Sequence, residues 1–215
     1  MPKKEGNYYN TRFKFDPGRV KVWKAITEYL QSYVGSDKTV LDLGAGYGDF
    51  INLINAKKKY ALDLNPAVKD YFREEVVFIN KPSSSLEDIS TNSLDVVFAS
   101  NLLEHLDPKQ LDKTMKGVRR CLKKGGVLIL IQPNFRYSYK NYFDDYTHKA
   151  IFTHISLADA LYEYGFTAKK VIPRFLPLTL KSRLPKSYML TKAYINSPFK
   201  PQGKQMLLIF EGWNA

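Results

Sequence analysis

Three glycines, Gly44, Gly46 and Gly48, stand two residues apart directly behind the apolar run Val40-Leu41-Asp42-Leu43. A glycine-rich turn at the end of a buried strand lets backbone come close to a nucleoside-bearing ligand. The spacing narrows the ligand. A dinucleotide fingerprint needs its third glycine one residue later, with a pyrophosphate at the N-terminus of the following helix. Here acidic Asp42 lies inside the strand end, where it would repel a pyrophosphate but receive an ammonium group or accept from hydroxyls. The pattern predicts a nucleoside carrying a cationic amino-acid tail, and an apolar-patterned helix after Gly48.

In Ala61-Leu62-Asp63-Leu64-Asn65-Pro66 a second carboxylate ends the next apolar run, 19 residues after Gly44. An acid there is placed to accept from both hydroxyls of a ribose. A third stretch, Ser93-Leu94-Asp95-Val96-Val97-Phe98-Ala99-Ser100-Asn101-Leu102-Leu103-Glu104-His105-Leu106, reads as a strand and the loop behind it. On these three stretches the chain resembles the class I S-adenosylmethionine-dependent methyltransferases, in the subgroup called methyltransferase type 11 or 12. The resemblance implies an α/β fold, a seven-stranded, mostly parallel, doubly wound Rossmann-like sheet, with S-adenosylmethionine as cofactor. It also implies that Asp42, Gly44, Ala45, Gly46 and Gly48 surround the methionine moiety and that Asp63 takes the ribose. Leu64 and Leu86 would pack on adenine, and Asn101 and Leu102 would line the methionyl side of the cleft. One stretch departs from the family. Many relatives carry an acid after the third strand, whereas this chain reads Asn80-Lys81-Pro82-Ser83-Ser84-Ser85. A serine hydroxyl or a backbone carbonyl must then meet the adenine amino group.

The acceptor side is expected behind the fifth strand, where Pro133-Asn134-Phe135-Arg136, Tyr142-Phe143-Asp144-Asp145-Tyr146-Thr147-His148-Lys149 and Phe152-Thr153-His154 follow one another. His148 is the candidate general base, taking a proton from a hydroxyl or amine as it attacks the methyl group, with Asp144 or Asp145 orienting the ring. His105 either faces the transferring methyl or holds its loop, and His154 is expected to be structural. Arg136, Tyr146, Arg174 and Arg183 are the expected acceptor contacts. Tyr9, in Tyr8-Tyr9-Asn10-Thr11-Arg12-Phe13, is expected to cover the donor, and Arg12 or Arg19 to meet a carboxylate. No metal site is expected, because adjacent Asp144 and Asp145 diverge on most backbones.

The elements that must position these groups follow from periodicity. Val20, Trp23, Ile26, Tyr29, Leu30 and Tyr33 recur at helical spacing and predict a helix packed on the sheet. Strands are predicted near 40–43, 60–63, 76–79, 94–99, 127–131, 167–172 and 205–210. Asp107, Pro108 and Gln110 predict a capped helix with Leu111, Met115, Val118 and Leu122 inward. A helix near 156–164 is expected with Ser156 as its cap and Gly165 as its stop. The organisation expected is an N-terminal arm and helix over 1–35 and a methyltransferase domain over 36–215. That domain includes a basic, aromatic insertion at 173–203.

This insertion holds Arg174, Lys181, Arg183, Lys186, Lys192 and Lys200 and no acid. Either it caps the fold with its charges in solvent, or it binds an anionic acceptor or a larger partner. The whole chain of 215 residues carries a net charge of +12, which favours anionic partners: a phosphorylated or acidic small molecule, an anionic membrane surface, or nucleic acid. The single cysteine, Cys121, excludes an intramolecular disulfide. With no apolar leader and no run of spanning length, the expected location is the cytoplasm. Ile172-Pro173-Arg174-Phe175-Leu176-Pro177 and Lys204-Gln205 also look like methyltransferases encoded among surface-polysaccharide genes. That likeness implies methylation of an oxygen or nitrogen of a sugar, nucleotide-sugar or lipid-linked glycan. The rivals are an RNA methyltransferase and a non-catalytic, methyltransferase-like partner protein.

Overall fold

The structure is a computed structural model and describes residues 14–177 and 185–212. Tyr9, Arg12, Lys181 and Arg183 therefore lie outside the described residues. The described strands are β1 (Thr39–Leu43), β2 (Lys58–Asp63), β3 (Val76–Asn80), β4 (Leu94–Ser100), β5 (Leu122–Pro133), β6 (Phe166–Leu176) and β7 (Gln205–Gly212). They form one sheet in the order β3-β2-β1-β4-β5-β7-β6. β7 runs antiparallel between β5 and β6, and the remaining pairs are parallel. This is the seven-stranded, doubly wound fold expected. The strand order reverses between β1 and β4, so the loops behind those two strands diverge and open a crevice at their carboxyl ends.

The sheet is covered on both faces, and the period of two sorts its side chains. On β1, Leu41 and Leu43 join Leu128, Leu130, Met115 and Leu157 in one core, while Val40 joins Ile26, Leu30, Phe98 and Ile129 in the other. Asp42 shares the face of Val40 and therefore points toward α1 (Arg19–Val34). α1 buries Val22, Trp23, Ile26 and Leu30. Val20, read as part of the apolar stripe, is instead 49% exposed.

α2 (Pro108–Cys121) begins as expected. The Asp107 side chain accepts from the Gln110 N–H, and the Gln110 side chain accepts from the Asp107 N–H. Cys121 is a buried free thiol. α3 (Phe135–Ser138) is a single turn, and α4 (His154–Glu163) starts earlier than expected. Its cap is Thr153, and Ser156 is the third helical residue, closing a capping box rather than acting as the cap. A further correction concerns the stretch behind the glycines. Residues 46–54 form a run of turns, not the regular helix expected. Behind Gly48 the chain makes separate helical-type bonds, Asn52 N–H to the Gly48 carbonyl at 3.1 Å and Ile54 N–H to the Phe50 carbonyl at 3.0 Å, without a continuous ladder. Phe50, Ile51 and Ile54 of this stretch are nevertheless buried in the core.

Candidate active site

A cavity of about 560 Å³ opens at the β1/β4 crevice. Its donor end is built from the glycine loop. The N–H groups of Gly44 and Ala45 donate to the Leu62 carbonyl at 2.8 and 3.0 Å, which ties the loop to the end of β2. Gly46 N–H and Asn65 N–H each donate to one Asp63 carboxylate oxygen at 2.8 Å. A carboxylate offers about four acceptor positions, so this grip fixes its orientation and leaves capacity for ligand hydroxyls. Gly44 is at φ 74°, and a Cβ there would stand 3.0 Å from Leu102. Gly48 is also at φ 74°, its missing Cβ makes room for Asn52 and Phe72, and it is not among the lining residues.

Asp42 is 3% exposed, and its pKa is pushed well above the usual carboxylate range by burial, with the charges of Asp63 and Asp49 adding to the effect. Burial also raises the pKa of Asp49, against the pull of Arg19, which pairs with it at 2.6 Å. The carboxylate that Arg19 meets is thus the chain's own. Three carboxylates and one guanidinium line this end. A cationic amino-acid tail relieves that crowding, which is the fit expected for S-adenosylmethionine, and a pyrophosphate would worsen it. Leu64, Asn101 and Leu102 also line the cavity, together with Ser83 and Ser84 of the serine stretch. Asn101 occupies a left-handed conformation, φ 50°, and its side-chain oxygen accepts from Gln205 at 2.9 Å, so β4 and β7 jointly hold the loop. Leu86 is placed elsewhere. It is 3% exposed, packs against Gly117 and is not among the lining residues.

The other end of the cavity, where the acceptor was expected, is formed by the loop behind β4 and by the segment between β5 and α4. His105, Asp145 and His148 line it, as expected, together with Glu104, Asn141, Tyr142 and Lys149. A carboxylate–hydroxyl–imidazole chain runs from Asp145 through Thr147 to His105. The Thr147 hydroxyl donates to Asp145 at 2.6 Å, so its oxygen accepts from His105 Nδ1–H at 2.9 Å. Nδ1 therefore carries the ring proton, and Nε2 has the lone pair. Burial first, then the neighbouring His148, lowers the His105 pKa to about 4. Burial would raise the pKa of Asp145, but hydrogen bonds from Thr147 and the two imidazoles outweigh it and hold the group low.

Glu104 is the residue that sequence reasoning missed. It is 1% exposed, and neither carboxylate oxygen has a hydrogen-bond partner among the described residues. Burial, reinforced by Asp145, raises its pKa to about 8. Its carboxylate and the ring nitrogens of His105 and His148 lie within 4.8 Å of one another. The Leu103-Glu104-His105 run was visible in the sequence, but nothing there distinguishes a buried acid from a solvated one.

The remaining expected contacts lie outside the cavity lining. Arg136 is exposed and Tyr146 is 71% exposed. Arg174 lays its guanidinium over Tyr137 at 4.1 Å and donates to the Pro201 carbonyl. His154 accepts an amide hydrogen from Asn134 at 3.0 Å, a structural contact consistent with the expected role. In the insertion, Lys186 pairs with Asp16, ahead of α1, and Lys192 with Glu28, which fastens α5 (Tyr188–Asn196) to α1. Among the described insertion residues, Leu176 alone reaches the cavity.

A family model described as a methyltransferase domain matches residues 16–170. Phosphoethanolamine N-methyltransferase 1 of Triticum aestivum is 31% identical over 122 residues, covering 51% of this chain and 24% of that protein. The protein of the same name from Zea mays is 27% identical over 119 residues, covering 51% of this chain and 23% of that protein. The matched stretch thus spans about a quarter of the length of these relatives. The crystal structure of a SAM dependent methyltransferase from Archaeoglobus fulgidus is 21% identical and superposes with a TM-score of 0.69, covering 95% of this chain and 97% of that one. That likeness bears on the fold alone.

Proposed function

Starting from a chain that belongs to the methyltransferase-domain family and is an enzyme with S-adenosylmethionine as methyl donor, we propose that it methylates the amine of a small acceptor seated at the Glu104–His148 corner. The observation that carries this reading is the buried Glu104 carboxylate, without a hydrogen-bond partner among the described residues and beside two imidazoles. A buried acid with no partner is costly unless a ligand completes it. An ammonium group does so by charge and by hydrogen bonding. When bound, the donor supplies a methyl group already activated by its positive sulfur. The chain's task is then to orient the acceptor and take up its proton. His148, less deeply buried than Glu104, meets the nucleophile, and the proton passes to the Glu104–His148 pair. Lys149 and Asn141 at the same end supply a cation and an amide for an anionic group on the acceptor. The relatives named phosphoethanolamine N-methyltransferase support an acceptor with both an amine and an anion.

A hydroxyl acceptor on an anionic sugar or lipid-linked glycan is the second reading, favoured by exposed Arg136, Lys140 and Lys149 around the mouth. An RNA acceptor has less support, because Lys186 pairs with Asp16, Lys192 with Glu28 of α1, and Arg174 stacks on Tyr137. A screen of small phosphorylated amines and of glycans with labelled donor tests the assignment. Label is expected on the amine nitrogen, and label confined to sugar hydroxyls would replace the first reading with the second.

At the donor end, Asp63→Ala is expected to weaken S-adenosylmethionine binding by about 1–3 kcal/mol, since it removes charge-assisted hydrogen bonds and releases the Gly46 loop. Titration calorimetry with S-adenosylhomocysteine measures this directly. Unchanged affinity would dissociate Asp63 from the ribose.

A further inference from the structure

The segment over 173–203 carries six cations and no acid, yet its described cations do not enter the cavity. Most of what its described residues turn outward is apolar, with Asn196 and Gln202 the exposed polar side chains among them. α5 is fastened to α1 through Lys192 and Tyr188, which both reach Glu28, and through buried Ile195. Its opposite face presents Met189, Leu190 and Ala193 to solvent, with no charge among them. Met189 is 69% exposed, Leu190 is 55% and Phe199, on the following turn, is 76%. Bulky aliphatic groups on a short surface helix normally face a core. The next turn, through Pro201 and Lys204, contacts Arg174 and Asn141 and so joins this surface to the cavity mouth. There Tyr139, Phe143 and Tyr146 are also more than half exposed, among exposed Arg136, Lys140 and Lys149.

We propose that the outer face of α5, with Phe199 and the aromatic rim of the mouth, docks on an anionic lipid bilayer. Aliphatic and aromatic side chains enter the interface, and the flanking cations meet the headgroups. Lipid is favoured over RNA because exposed Met189 and Leu190, at the centre of the outer face of α5, are aliphatic: they suit a hydrocarbon interface and give bases nothing to stack on. A second copy is disfavoured by the net charge of +12, which repels its like. No helix among the described residues is long and apolar enough to cross a membrane, so docking is interfacial. The proposal rests on the acceptor reading only for what the membrane would deliver, and binding is measured with neither donor nor acceptor present.

The test is co-sedimentation of the full chain with vesicles of phosphatidylcholine, with and without phosphatidylglycerol. Binding is expected to be about tenfold or more tighter on the anionic vesicles and to weaken with added salt. The double variant Leu190→Asp, Phe199→Asp is expected to lose about tenfold or more of that affinity while keeping its circular dichroism and methyl transfer. The milder pair Met189→Ser, Phe199→Ser serves if the aspartates disturb folding. The proposal is overturned by three outcomes: no sedimentation with anionic vesicles, sedimentation unaffected by both variants, or variants that instead abolish self-association or RNA binding in a chain that ignores vesicles.

Discussion

His148→Ala is expected to lower turnover by roughly 10²–10⁴-fold while S-adenosylmethionine affinity stays near that of the unaltered chain. The ring stands between two others, 4.9 Å from His105 and 4.5 Å from Tyr142, with the Glu104 carboxylate in the same corner. It lies at the acceptor end, away from the glycine loop and Asp63, so its loss leaves the donor's grip intact. On the proposed mechanism, what is lost is the group that meets the nucleophile as it surrenders its proton. Added imidazole should restore part of the rate, because the alanine leaves a ring-sized space. A variant that loses thermal stability but turns over normally would make His148 a packing residue and remove it from the chemistry.

The second large effect is on stability and its pH dependence. The Glu104 carboxyl releases its proton near 4.5 when unfolded and near 8 when folded. Below 4.5 both states keep the proton and the buried acid costs nothing through ionisation. Between 4.5 and 8 the unfolded chain releases it first, so stability falls as pH rises and the full loss is present above 8. The size is roughly 4–5 kcal/mol. Glu104→Gln cannot ionise, so the variant is expected to keep the stability that the unaltered chain loses across this window. It should also lose the ascending limb of kcat/KM that approaches pH 8. His105 slopes the other way. Its folded pKa of about 4 lies below the ordinary 6.5, so stability falls as pH drops from 6.5 toward 4. Urea titrations of the metal-free and ligand-free chain from pH 4 to 9 measure both slopes. Parallel curves for the two proteins would show that Glu104 is already satisfied and is not waiting for a ligand.

The donor half of the site was legible because its chemistry is carried by local sequence. Gly44 and Gly46 act through backbone conformation, and Asp42 and Asp63 through their places at strand ends, so residue type and spacing suffice to find them. The same holds for the sheet, whose strands announce themselves as dense Val, Leu and Ile runs, and for the capping box of Asp107 and Gln110. Gly48 shows the limit of such reading. It completes the pattern, yet its missing Cβ makes room for Phe72 and Asn52, and it is not among the residues that line the cavity.

The acceptor half was decided by tertiary structure. Thr147 links the Asp145 carboxylate to the His105 ring, a residue 42 positions from the threonine, and no local pattern announces that contact. Leu86 faces Gly117 because α2 covers that side of the sheet. The cations of the insertion looked alike in sequence, and only their neighbours on α1 and β6 separate structural pairs from an outward surface. Glu104 is the clearest case. Its identity is local, but its buried state and its pKa come from the packing of β4, β5 and the segment before α4, chain regions far apart in sequence. Backbone conformation and strand order are set by near neighbours and periodicity. Protonation, relay partners and the direction of a side chain are set by which distant segments exclude water from it, and those exist only once the sheet has closed.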